Sequence, residues 1–307
     1  MLRSFKYNSE TKVFYLDAYD NNEINGRLLN RLVNFFENQN NINSLKSRED
    51  VKVVKTADEL ANKNKIRQVF KVSNDEKNYF IKRQFKQRRL RYICNTFCQK
   101  YFSGGVKSLR MLNKLRKNNI SAPAPCFCLV FARGIFNYDT FLVTEEIKDS
   151  VSLYDYLLEN RNIDFVFKQE LIKKLAKFWA DLFKGDLLFK DASLDNFLLK
   201  RYNNEVEIFL VDVDNVFSNK FFKNRNEIKT LARFNAYVIQ DIDSLDNLEL
   251  NLIDIVRFYK NFFSYYDPSY DFRSFLEQVR QATVKKLIER NNKNLVYQFE
   301  FFAQNNL

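Results

Sequence analysis

Hydrophobic and polar positions change their period once along this chain of 307 residues, and that change divides it. Residues 3–18 alternate, with Phe5, Tyr7, Val13 and Tyr15 on either side of the polar turn Asn8-Ser9-Glu10, a spacing that predicts a short hairpin. Residues 24–38 carry Ile24, Leu28, Leu29, Leu32, Val33, Phe35 and Phe36 at helical spacing, and the Asn- and Ser-rich stretch 37–48 reads as a linker. Three β-branched or aromatic runs follow, VKVVKT (51–56), IRQVFKV (66–72) and NYFIKRQF (78–85). Polar turns separate them, which predicts an antiparallel sheet of at least three strands. After a basic helical stretch, GGVKSLRMLNKLRKNNI, strand character resumes in CFCLVF and TFLVTEEI (140–147). Five strands thus enclose one helical region.

Beyond residue 147 the period becomes helical. Leu171, Ile172, Leu175, Phe178, Trp179 and Leu182 form one apolar face of a long amphipathic helix over 165–183. Two short apolar runs, NFLL (196–199) and IFLVDV (208–213), come next, and residues 226–290 again read mostly as helix. The expectation is an α+β chain in three parts: an N-terminal extension at 1–48, a sheet-rich lobe at 49–147 and a helical lobe at 148–307.

Composition fits a folded globular chain, with 46% apolar and 29% charged residues, but it narrows the chemistry. No histidine is present, so every mechanism that needs imidazole as base, shuttle or metal ligand is excluded. The formal charge is +12, and its position says more than its size. From Lys77 to Tyr138 there are fourteen basic residues and no acid, while the remaining 36 basic residues meet 38 acidic ones. A run of that length repels itself unless an anion binds it, so a polyanionic partner is expected. The N-terminus shows no secretion signal and no apolar run reaches bilayer length, which places the protein in the cytoplasm or at a membrane surface. Cys94, Cys98, Cys126 and Cys128 are spaced C-x3-C and C-x-C. Two readings stay open for them, a four-thiolate zinc site and reduced thiols packing as small hydrophobes, and the spacing favours the second.

The segment FKDASLDNFLL sets Asp191 and Asn196 five residues apart, and LVDVDNV places Asp212 and Asp214 sixteen and eighteen residues after Asn196. Phosphoryl transfer needs this set: a carboxylate that orients an attacking hydroxyl, and an amide oxygen with a carboxylate to hold Mg2+ against nucleotide phosphates. A D-x4-N pair alone says little. Here it follows a long amphipathic helix, lies between short apolar runs, precedes an apolar strand ending in Asp and stands downstream of a strand-borne lysine, Lys82 in YFIKR.

With these residues in order, the chain resembles the protein-kinase-like superfamily, and within it the bacterial lipopolysaccharide core kinases that phosphorylate heptose or Kdo. The resemblance covers residues 50–240, includes LRMLNKLRKNNISAPAP and EIKTLARFN, and extends to the hairpin and helix before it. It implies a bilobal kinase-like fold with a β-rich N-lobe and a helical C-lobe. By the same resemblance Asp191 is the catalytic aspartate, Asn196 and Asp212 are metal ligands with Asp214 completing a D-x-D, and Lys82 pairs with the phosphates of ATP. Phe189 stands where the catalytic loop of kinases has His, and Lys190 where it has Arg. Two features depart from the pattern: no glycine lies between Gly26 and Gly104, and the helix after the third strand has Ser108 near the position of the lysine's usual glutamate.

The function implied is ATP- and Mg2+-dependent phosphorylation of a sugar hydroxyl of the lipopolysaccharide inner core, at the inner membrane face. The basic segment would dock on anionic glycolipid or head groups. The alternatives are a weak or inactive kinase fold that binds anionic glycolipid, and a kinase acting on a protein or small metabolite. Nucleic acid is not the expected partner, because it leaves the aspartates without a role.

Overall fold

The computed structural model describes residues 2–7, 11–16, 28–30, 32–33, 51–55, 66–74, 77–85, 104–132, 138–160, 163–202, 205–218, 223–243, 252–266, 271–290, 292 and 295–296. The chain forms two compact units, Met1–Lys114 with Pro123–Ile147, and Leu115–Ala122 with Lys148–Leu307.

In the first unit, alternation builds a sheet. The strands are β1 (Leu2–Lys6), β2 (Thr11–Leu16), β3 (Val51–Lys55), β4 (Ile66–Asn74), β5 (Lys77–Phe85), β6 (Pro125–Ala132) and β7 (Tyr138–Glu145). They lie in the order β1-β2-β6-β7-β5-β4-β3, each pair antiparallel. The sheet has seven strands where the sequence suggested five, because the N-terminal hairpin joins it through β2, with Val13 opposite Leu129. A lone hairpin is marginal in water. By adding to the sheet it buries Val13 and Phe14 on opposite faces.

Period-2 alternation gives the two faces different covers. Phe70, Tyr79, Ile81, Phe127, Leu129, Phe141 and Val143 pack with Leu28, Leu29, Leu32 and Val33 from helical residues in 28–33. The helix α1 (Gly104–Lys117) approaches residues of the other face. A Cβ on Gly105 would lie 2.7 Å from Cys128 Sγ and 3.1 Å from Thr140, and one on Gly104 would strike the Gln84 side chain. The paired glycines therefore let the helix start against the sheet. Val106, Leu109 and Leu112 are buried, while Lys107, Arg110, Arg116 and Lys117 are exposed.

Cys126 and Cys128 are buried free thiols, and burial pushes the Cys126 thiol up to about 12 and raises Cys128 likewise. Cys94 and Cys98 lie outside the described residues. Among the described residues no group of three thiols or carboxylates is placed to hold a metal ion.

The second unit contains β8 (Ser150–Ser152), α2 (Leu153–Glu159), α3 (Phe165–Lys184), β9 (Leu187–Phe189), β10 (Phe197–Tyr202), β11 (Glu205–Leu210), β12 (Val216–Ser218), α4 (Lys223–Asp243), α5 (Leu252–Tyr266) and α6 (Phe272–Glu289). Side-chain oxygens cap three of the helices: Ser152 accepts from the Asp155 N–H, Asp164 from Phe167 and Asp271 from Ser274. All six apolar positions predicted for the face of α3 are buried. They meet an aromatic lattice in which Trp179 lies 5.1 Å from Phe234 and Phe178 5.4 Å from Phe197, ring centre to ring centre. No helix of the described residues is long and apolar enough to cross a membrane.

Candidate active site

The loop that carries Asp191 is built from its flanks inward. After α3 the chain turns at Gly185 and at Asp186, whose φ of 52° lies in the left-handed region that Asp tolerates better than most residues. It then enters β9, which pairs with β12 so that Phe189 faces Val216. Phe189 is fully buried, 6.5 Å from the Trp179 ring and edge-on to Phe197 at 6.0 Å. The Lys190 N–H donates to the Asn215 carbonyl at 3.1 Å, and Asp191 is the next residue.

The Asp191 carboxylate is held from two sides. Oδ2 accepts from Asn215 Nδ2 at 3.2 Å, and Oδ1 accepts from the Tyr237 hydroxyl of α4 at 3.1 Å. Burial, and then the Asp191 charge, push the Tyr237 phenol above its ordinary pKa, so it remains a donor at neutral pH. The Arg290 guanidinium lies 3.9 Å from the centre of the Tyr237 ring, and its Nη1 donates to Gln240 at 2.5 Å.

Asn196 ends a short 3-10 turn, Leu194–Asn196. Its Nδ2 donates to the Asp191 carbonyl at 2.8 Å and to Ser193 Oγ at 3.0 Å. Both amide hydrogens are therefore engaged, and Oδ1 is the group's acceptor. The Asn196 carbonyl accepts from the Val211 N–H at 3.1 Å, one residue before Asp212. This hydrogen bond brings Asn196 beside the residue that precedes Asp212. Asp212 Oδ1 accepts from the Asp214 N–H at 3.3 Å, at the start of a second 3-10 turn, Val213–Asn215. That turn delivers Asn215 back to Asp191.

Lys82 belongs to the first unit. It sits on β5 between Val69 of β4 and Leu142 of β7, half-buried, and alternation puts it on the same sheet face as Gln84. Ser108 on α1 is buried and its hydroxyl donates to the Gly104 carbonyl at 3.0 Å. On the other face, Arg83 donates to Asp139 at 2.8 Å and to Gln68 at 3.3 Å, a buried ion pair between one cation of the basic segment and the acid that directly follows it.

Asp191, Asn196, Asp212 and Asp214 therefore share one hydrogen-bonded loop cluster. Asp191 keeps lone pairs for an incoming hydroxyl, and the side-chain oxygens of Asn196 and Asp212 are hard donors of the kind that suit Mg2+. Sequence reading missed Ser193, Asn215, Tyr237 and Arg290. Asn215 directly follows the D-x-D and Tyr237 lies two residues past EIKTLARFN, so position alone could have flagged those two. Nothing local marks Arg290.

The lipopolysaccharide kinase (Kdo/WaaP) family matches residues 53–262. Among solved structures, the chain is similar to WaaP in complex with acyl carrier protein, at 15% identity and a TM-score of 0.57, over 86% of this chain and 96% of that one. It is also similar to a glucosamine kinase in complex with glucosamine, ADP and inorganic phosphate, at 10% identity and a TM-score of 0.50, over 100% of this chain and 93% of that one. No curated protein sequence matches it. The likeness to these structures establishes a kinase-like fold, with a sheet-rich N-terminal region and a helical C-terminal region. With the family's motif residues meeting in one loop cluster and its match spanning more than half of the sequence, this chain belongs to the lipopolysaccharide kinase (Kdo/WaaP) family, whose members use ATP to phosphorylate a sugar hydroxyl of the lipopolysaccharide core.

Proposed function

We propose that the chain transfers the γ-phosphoryl group of ATP to a hydroxyl of a heptose or Kdo residue in the inner core. One observation carries the reading: the Asp191 carboxylate is clamped by Asn215 and Tyr237, the Asp191 carbonyl accepts from Asn196, and the Asn196 carbonyl in turn accepts from Val211, the residue before Asp212. In this role Asp191 orients the acceptor hydroxyl and takes its proton. Asn196 and Asp212, with Asp214 beside them, would hold Mg2+, which neutralises charge on the nucleotide phosphates when bound. Lys82 would pair with the α- and β-phosphates.

The division into an extension at 1–48, an N-lobe at 49–147 and a C-lobe at 148–307 belongs to the same proposal. So does a place at the cytoplasmic face of the inner membrane, where the basic segment meets anionic glycolipid. Because the solved WaaP structure contains acyl carrier protein, a protein partner is included as well.

The test is transfer of labelled phosphate from ATP to dephosphorylated core glycolipid. Asp191→Asn should lower it by about 10²- to 10⁴-fold with the fold intact. Equal transfer by that variant would remove Asp191 from the chemistry. A second reading is favoured by one feature, the absence of any acid on α1 to partner Lys82 in the usual way: a weak or inactive kinase fold that binds anionic glycolipid. Failure of Mg2+ and any nucleotide to raise the melting temperature would select it.

A further inference from the structure

Arg290 caps the C-terminal end of α6, beyond the segment that matches the family, yet it packs on the α4 residue that binds Asp191. Its guanidinium stacks on the Tyr237 ring, whose hydroxyl binds Asp191, and one Nη1 bond to Gln240 fixes its direction. No carboxylate is ion-paired with it among the described residues, although Asp241 lies near enough to feel its charge. Asp241 is occupied elsewhere, accepting from the Leu194 N–H at 3.4 Å. A half-buried arginine held rigid by an aromatic face and an amide, one tyrosine ring from the catalytic carboxylate, keeps donors for a planar or tetrahedral oxyanion. The surroundings demand such a cation if the acceptor is acidic. Asp191, Asp195 and Asp241 together repel an anionic sugar, and Arg290 supplies the opposing charge on the α4 side of the loop.

We infer that Arg290, aligned by Tyr237 and Gln240, is a subsite for an anionic group of the acceptor, a carboxylate or phosphate on the sugar to be phosphorylated or on its neighbour. This rests on the proposed function and deepens it by naming an acidic acceptor. The arrangement also couples recognition to chemistry, because the ring that seats the guanidinium carries the hydroxyl that positions Asp191.

The test uses the full chain with two pairs of acceptors: a Kdo-bearing lipid A precursor against the same glycolipid with the Kdo carboxyl reduced to an alcohol, and a heptosylated glycolipid with against without phosphate on the adjacent sugar. The unmodified protein should show a KM about tenfold or more lower for the acidic member of a pair, and the pair that shows the gap identifies carboxylate or phosphate as the group read. Arg290→Met should erase that gap while leaving the KM for ATP unchanged, and Arg290→Lys should restore part of it. Gln240→Glu keeps the arginine but sets a competing carboxylate on it, so it should raise the KM for the acidic acceptor alone. Equal KM values for acidic and neutral acceptors in the unmodified protein overturn the subsite and leave the kinase reading standing. So does an equal loss on both members of a pair in Arg290→Met and Gln240→Glu. Transfer to none of the acceptors overturns both.

Discussion

The two units hold their candidate site residues by different means. In the sheet unit Lys82 is placed by backbone register, between Val69 and Leu142 in a ladder that runs from Asn74–Lys77 to Ile66–Phe85. Its core is mainly aliphatic and β-branched, with Val13, Leu28, Val72, Ile81, Leu129 and Val143. In the helical unit Asp191 lies outside regular structure, and rings set its position: Phe189 buried against Trp179 and Phe197 one side of the loop, Tyr237 on the other. Register is a collective property of many backbone hydrogen bonds, so no single side chain in the sheet defines where Lys82 stands. A loop held by a few aromatic contacts and side-chain hydrogen bonds has no such redundancy. Truncations of similar size should therefore differ in their effect on activity more than in their effect on stability.

The sharpest break would come at Phe189. Phe189→Ala should cost about 3–5 kcal/mol as a buried aromatic truncation, and should lower transfer further than the unfolded fraction explains. Activity that merely tracks the folded fraction would mean that the ring packs but does not place Asp191. Asp139→Ala in the sheet unit should cost a similar amount, about 3–5 kcal/mol, because it leaves the Arg83 guanidinium buried without its carboxylate. There, however, the residual activity should follow the folded fraction, as denaturant melts paired with kinetics would show. Ile81→Val, next to Lys82 on the same strand, should cost about 0.5–1.5 kcal/mol and leave kcat and the KM for ATP within twofold. A large rise in that KM would show that Lys82 depends on local packing after all.

The smallest effect concerns the thiols. Burial keeps Cys126 and Cys128 protonated far above neutral pH, so alkylation at pH 8 should leave both unmodified in the native protein and label both in denaturant. Peptide mapping distinguishes these outcomes, and rapid native labelling at either position would show that the β6 face opens.

Much of the frame is visible in residue order. The apolar stripe of α3 and the alternation of β4 and β5 are local periodicities, and a side chain's place on them follows from its residue number alone. Joining the hairpin to β6 pairs residues more than a hundred positions apart, and no local pattern encodes that pairing. The same holds at the site. D-x4-N and D-x-D announce Asp191, Asn196, Asp212 and Asp214 because those residues are chemically constrained and close in sequence.

Their positioning partners obey a different rule. Asn215 reaches Asp191 only because β12 lies beside β9, and Tyr237 only because α4 packs against the loop. Sequence by itself determined which groups are the candidates for phosphoryl transfer, since periodicity and short-range spacing are properties of the chain. Tertiary structure alone decided what holds the Asp191 carboxylate and which cation, Arg290, lies against the Tyr237 ring behind it. Those contacts cross 24, 46 and 53 residues of chain and exist only once the elements between them have packed.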